Sequence, residues 1–184
     1  MIYISLLRGI NVGWNKRILM KDLVSLYANL WFENIQTYIQ SGNAIFQSTE
    51  SDRTIIIQDI ETAIMETYGF EVRVILRTPE EMRSIVSNMP FKWMSIEYKY
   101  YHVCFLSEIP DANRISTFSD LDFWEDVYEI IWNTLYIAYN PITGAGKSKL
   151  TLSIIEKKLG IIGTSRNWNV VTELNNILSS YVHL

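Results

Sequence analysis

Ile35-Gln36-Thr37-Tyr38-Ile39-Gln40, Ser41-Gly42-Asn43, Ala44-Ile45-Phe46-Gln47: two strand-forming runs flank a three-residue loop that contains a glycine. That arrangement predicts a β-hairpin. What lies on either side of the hairpin decides the fold. Upstream, Leu19, Leu23, Leu26 and Leu30 recur at intervals of 4, 3 and 4, which is one stripe of a helix. Asp22 in its first turn suits the positive end of the helix dipole. Before it, the apolar run Ile2–Leu7 stops at Arg8-Gly9 and reads as a buried strand. Downstream, Ser51 and Asp52 can cap a second helix whose Ile57, Ile60 and Ile64 share a face, with Gly69 placed to end it. Glu71–Arg77 then alternates, with Val72, Val74 and Leu76 on one side. Residues 2–77 therefore read β-α-β-β-α-β, the order of a ferredoxin-like fold.

The order recurs. Thr78-Pro79-Glu80-Glu81 starts a helix, with Thr78 as N-cap, Pro79 as first helical residue and Glu81 as capping-box partner. Pro90 limits it, and an aromatic-rich connector follows to Lys99. Tyr100–Leu106 reads as a strand, and Pro110 to about Phe118 as a short helix. Val127–Trp132 and Leu135–Tyr139 form a hairpin around Asn133-Thr134. Leu152, Ile155 and Leu159 mark a helix ending at Gly160, and Ile161–Thr164 reads as a strand. Val171, Leu174, Leu178 and Tyr181 mark the last helix, capped by Asn167 or a near neighbour. The expectation is an α+β chain: a tandem of two ferredoxin-like halves with extra helices. Residues 1–77 form the first half, 78–99 a helix and connector, and 100–184 the second half with its C-terminal helix. The alternative is one continuous mixed sheet.

Composition narrows the function classes. The chain has 184 residues, 48% of them apolar, which supports a sizeable core. Its net charge of −4 argues against a non-specific nucleic-acid or acidic-membrane binder, which needs a basic field. Cys104 is the single cysteine, so no intramolecular disulfide forms and a reducing compartment fits. It sits in an apolar run and reads as a buried, inert thiol. No apolar run approaches the ~20 residues of a membrane span, so the expected localisation is cytoplasmic with no membrane partner. His102 and His183 are the only histidines, and no metal-ligand spacing exists, so no metal and no cofactor are expected.

Four stretches carry a likeness. They are Leu6-Leu7-Arg8-Gly9-Ile10-Asn11-Val12-Gly13, Thr37-Tyr38-Ile39-Gln40-Ser41-Gly42-Asn43, Gly146-Lys147-Ser148-Lys149, and Glu156–Gly160 running on to Thr164-Ser165-Arg166-Asn167-Trp168-Asn169. In this order they resemble the bacterial domain-of-unknown-function family numbered 1697, across nearly the whole chain. The resemblance implies an α+β fold and an unassigned activity. Two positions depart from the family pattern: Trp14 stands where members usually carry a second glycine, and Val170 where they usually carry threonine.

The motifs also have a chemistry of their own. Gly144-Ala145-Gly146-Lys147-Ser148 looks like a phosphate-binding P-loop, but Pro141 stands where that pattern needs its first glycine. A plain anion site at the start of the Leu150–Leu159 helix is a better reading than a P-loop, with Lys147 and Lys149 favouring negative charge and Ser148 beside them; the alternative is a flexible basic hairpin-to-helix turn. Arg166 and Asn167 precede the last helix and read either as a capping sequence or as groups presented to an anion. Ser41 and Asn43 belong to the hairpin loop and offer hydrogen bonds. Arg8 is a structural ion-pair partner or a ligand clamp. The leading expectation is a protein that binds a small phosphate- or carboxylate-bearing ligand through Arg8, Asn11, Ser41, Asn43, Lys147, Ser148, Lys149, Arg166 and Asn167. The alternatives are a nucleic-acid-binding module, a small enzyme acting on a phosphorylated substrate, or a scaffold. The motifs offer no general base, so they specify no reaction.

Overall fold

A computed structural model describes residues 1–13 and 15–181; Trp14 and His183, singled out above, lie outside the described residues. The chain divides into two compact units. One comprises Met1–Met82 together with the chain from Asn176, and the other comprises Arg83–Asn175.

The first unit runs β1 (Ile2–Leu7), α1 (Met20–Asn29), β2 (Glu33–Tyr38), β3 (Asn43–Gln47), α2 (Arg53–Tyr68), β4 (Val74–Arg77). Its antiparallel sheet has the order β2-β3-β1-β4, the ferredoxin-like arrangement. Tyr3, Leu7, Ala44, Phe46, Val74 and Leu76 of the sheet pack with Leu23, Leu26 and Tyr27 of α1 and Ile56, Ile60 and Ile64 of α2. The helical stripe of α2 is rotated by one residue from the expectation: Ile56 is fully buried and Ile57 only partly. Asp52 caps α2 by accepting the Thr54 N–H, and Gly69 closes it in the left-handed region. α3 (Pro79–Ser87) opens on the expected reciprocal cap. The Thr78 N–H donates to Glu81 Oε2 at 2.7 Å and the Glu81 N–H to Thr78 Oγ1 at 3.3 Å.

The second unit runs β5 (Tyr101–Leu106), α4 (Ala112–Ser119), β6 (Val127–Ile131), β7 (Thr134–Ala138), α5 (Gly144–Lys147, one turn), α6 (Leu152–Leu159), β8 (Gly163–Asn167), with α7 (Trp168–Tyr181) following. The sheet order β6-β7-β5-β8 repeats that of the first unit strand for strand. The chain is thus an α+β protein of two ferredoxin-like halves carrying extra helices. Cys104, Leu106, Leu135 and Ile137 face Phe118 of α4 and Ile155 and Leu159 of α6. Cys104 is buried and forms no disulfide. On the sheet's other face, Tyr136 donates its hydroxyl to Ile85 O, and Tyr101 to Met94 O, so α3 and the connector are tied to it. Within that connector Trp93 and Tyr98 stay exposed rather than tucking in.

Three local boundaries differ from the sequence expectation. The first hairpin pairs Tyr38 with Asn43, so its turn is 39–42 and Asn43 is a strand residue. The second pairs Ile131 with Thr134, so Trp132-Asn133 forms the turn. The last strand is Gly163–Asn167, because β5 pairs with it from Leu106↔Gly163 to His102↔Asn167.

Candidate functional site

In the first unit, the loop after β1 and the turn 39–42 form one interlocked structure. Asn11 stands in the left-handed region at φ 55°. Its Nδ2 donates to Ile18 O at 2.9 Å and Gln40 O at 2.8 Å, and its Oδ1 accepts the Ile18 N–H at 3.0 Å. One amide therefore closes its own loop and ties it to the hairpin. The Leu7 N–H donates to Gly42 O at 2.8 Å. Gly42 has φ 75°, and a Cβ there would lie 2.7 Å from Ile10 Cδ1 and 2.8 Å from Leu7 Cβ. Only glycine permits that approach. Asn43 is fully buried, and its Nδ2 donates to Tyr38 O and Ser41 Oγ, both at 2.9 Å. Asn43 and Ser41 thus shape the turn. Arg8 is half-buried at the strand end, its N–H donating to Arg73 O. Beside these groups, Asn11, Gly13, Arg17, Ile18, Leu19 and Gln40 line a cavity of about 370 Å³.

In the second unit, the Gly144–Lys147 stretch is a single helical turn and not a phosphate cradle. α6 starts at Leu152, and Thr151 already caps it by accepting the Ile154 N–H. Lys147, Ser148 and Lys149 instead line a cavity of about 440 Å³ with Phe123, Trp124, Glu125, Asp126, Asn140, Ile142 and Thr143. The loop between α4 and β6 supplies one wall and the segment after β7 the other. Asp126 joins the two walls. Its Oδ1 accepts the Asn140 N–H at 2.8 Å, and its Oδ2 accepts the Ser148 hydroxyl at 2.5 Å. Ser148 Oγ also accepts the Leu150 N–H. Asn140 Nδ2 donates to Glu125 Oε2. Trp124 is exposed and held at φ 63°, and the Lys149 ammonium sits 3.9 Å from its ring centroid. Lys147 is exposed and, among the described residues, makes no hydrogen bond or ion pair.

Arg166 and Asn167 do not line this cavity. Arg166 is a buried β8 residue whose Nη1 donates to Thr164 Oγ1 and Ser165 O, each at 2.9 Å. Burial pushes its guanidinium down to about 10, with Cys104 acting in the opposite sense. Asn167 Oδ1 accepts the Val170 N–H at 2.9 Å, so it is the cap of α7. Both residues hold the β8–α7 junction. Among the described residues no group of three or more His, Cys, Asp and Glu could hold a metal ion.

A family model described as a protein of unknown function, DUF1697, matches residues 1–136, about three quarters of the chain. The chain belongs to this family. The matched span contains the interlocked loops of the first unit, and in the second it includes Trp124 and Asp126 but ends before Lys147. Among solved structures, the chain is similar to the conserved bacterial protein SP0830 from Streptococcus pneumoniae. The two are 25% identical with a TM-score of 0.76, over 96% of this chain and 98% of that one. No curated protein matches. Trp124, Asp126 and Asn140 were not singled out by sequence pattern. The one available cue was Asn140-Pro141, a turn signal placed just before the Gly-Lys segment.

Proposed function

We propose that the chain is a cytoplasmic protein that binds a small phosphate- or carboxylate-bearing ligand in the cavity bounded by Trp124 and Lys147. The observation that carries this reading is the convergence of Lys147 and Lys149 on one concave site beside an exposed indole. Its volume of about 440 Å³ is within the range of small-molecule sites. Asp126 is the internal brace: both carboxylate oxygens are satisfied by donors of the cavity wall, so Lys147 is left to receive an anion. Cys104, buried and in no disulfide, fits a reducing compartment. Among the described residues no helix is long and apolar enough to cross a membrane.

Thermal denaturation in a series of inorganic phosphate and small carboxylates tests the reading. A ligand present at 100 times its Kd stabilises the native state by about 2.7 kcal/mol. For a chain of this length that raises Tm by roughly 5–11 °C. The rise is expected in the wild type and absent in Lys147→Ala/Lys149→Ala. No rise with any anion, or an equal rise in the double variant, contradicts it.

A further inference from the structure

Resting on that reading, we infer that the ligand is a nucleoside monophosphate, whose base stacks on Trp124 while its phosphate is held by Lys147 and Lys149. The cavity offers three different chemistries, and this ligand class uses all three. The first is a flat aromatic face. Trp124 is 65% exposed, and a bulky residue in the left-handed region is a genuine backbone outlier. The Asp122 carboxylate accepts the Trp124 N–H at 2.7 Å and holds the conformation. The fold thus fixes a large apolar ring at the mouth of a cavity. Such a ring is a platform for a base, because every base has a π-face.

The second is a movable cation. Lys149 lies over the Trp124 ring at 3.9 Å from the centroid. A base stacking on that face takes the place of the ammonium. Lys149 is then released toward the phosphate, where Lys147 stands in the same cavity. Base and phosphate therefore reinforce each other: the ring frees the cation that the anion needs. The third is a hydrogen-bond acceptor between them. Glu125 lines the same cavity and engages Asn140 through Oε2. Its second oxygen can accept from sugar hydroxyls. This accounts for carboxylates in a site proposed to take an anion. Two ammonium groups and two carboxylates line the cavity, so a bare anion binds less tightly than a ligand that engages the other walls as well. A ligand with a ring and hydroxyl donors as well gains from each wall. The net charge of −4 favours a free mononucleotide over a nucleic-acid chain.

Isothermal titration of the full chain with AMP, UMP, adenosine, uridine and inorganic phosphate tests this. At least one nucleotide is expected to bind about tenfold or more tightly than both its nucleoside and phosphate. Trp124→Ala should lose about tenfold of the nucleotide affinity, and Trp124→Phe should retain most of it. Circular dichroism of each variant reports whether the fold is kept; Trp124→Phe, which preserves a ring, decides the matter if Trp124→Ala unfolds. Phosphate binding as tightly as either nucleotide, with no response to Trp124, overturns this inference and leaves the anion site standing. Nucleosides binding as tightly as nucleotides overturn it as well. If none of the five binds, the inference falls, and a Tm rise with a small carboxylate decides whether the proposed function falls with it.

Discussion

Replacing Gly42 by alanine isolates the contact that interlocks the two best-marked sequence motifs. Two costs add. The residue sits at φ 75°, where a side chain costs about 1–2 kcal/mol. The new Cβ would also lie 2.7 and 2.9 Å from Ile10 Cδ1 and Cγ1 and 2.8 Å from Leu7 Cβ. Ile10 and Leu7 are both buried, so neither can move aside without disturbing the core. Overpacking of that kind costs about 1–3 kcal/mol. The expected destabilisation is about 2–5 kcal/mol, or roughly 4–20 °C in Tm. Gly9 supplies the control. It has φ 69°, but a Cβ there meets nothing within 4 Å. Gly9→Ala should therefore cost only the backbone share, about 1–2 kcal/mol. Urea denaturation of both variants beside the wild type measures the difference. If Gly42→Ala is no worse than Gly9→Ala, the close approach of Gly42 to Ile10 and Leu7 is not a stabilising constraint and the reasoning fails.

Other perturbations follow from single features. Thr78→Ala removes one side of the α3 capping box and should cost about 0.5–2 kcal/mol by urea denaturation. Asn11→Ala removes three hydrogen bonds that close the loop after β1, so amide exchange at Ile18 should accelerate sharply while the core strands stay protected. Burial lowers the pKa of His102, which packs edge-on against Tyr139. Because the folded-state value lies below the unfolded one of about 6.5, the unfolded state binds more protons between them. The stability His102 contributes is complete above about pH 6.5 and is lost as pH falls through the lowered folded value. His102→Gln should flatten that part of a stability-versus-pH curve.

Helix faces and caps were legible in the sequence because they are local. The Leu23 and Leu26 face of α1, the Gly69 and Gly160 helix ends and the Thr78–Glu81 box need only their own neighbours, whereas Leu19, at the N-cap of α1, stays exposed. Their order, repeated, yields the tandem ferredoxin-like arrangement. What escaped depends on partners far along the chain. The strand expected at Ile161–Thr164 runs on through Ser165-Arg166-Asn167, which reads as a capping sequence, because β5 pairs with that stretch over its whole length. Arg166 is buried there for the same reason. Trp132 occupies a turn position at φ 55°, where local preference predicts Asn or Gly. The cavity of the second unit was half visible: Lys147, Ser148 and Lys149 stood out as a basic Gly-linked segment. The opposite wall, Trp124 to Asp126, lies more than 20 residues away in sequence and is joined to it by side-chain contacts: Asp126 with Ser148 and Asn140, Glu125 with Asn140, and Trp124 with Lys149.

The most direct test of the central claim is a two-dimensional ¹⁵N–¹H NMR titration of the chain with inorganic phosphate. The account predicts saturable shifts of the Trp124 indole and of the Lys147, Ser148 and Lys149 amides, with the Asn11 and Gln40 amides unmoved. Saturable shifts confined to the Asn11–Gln40 loops, or none anywhere, would contradict it.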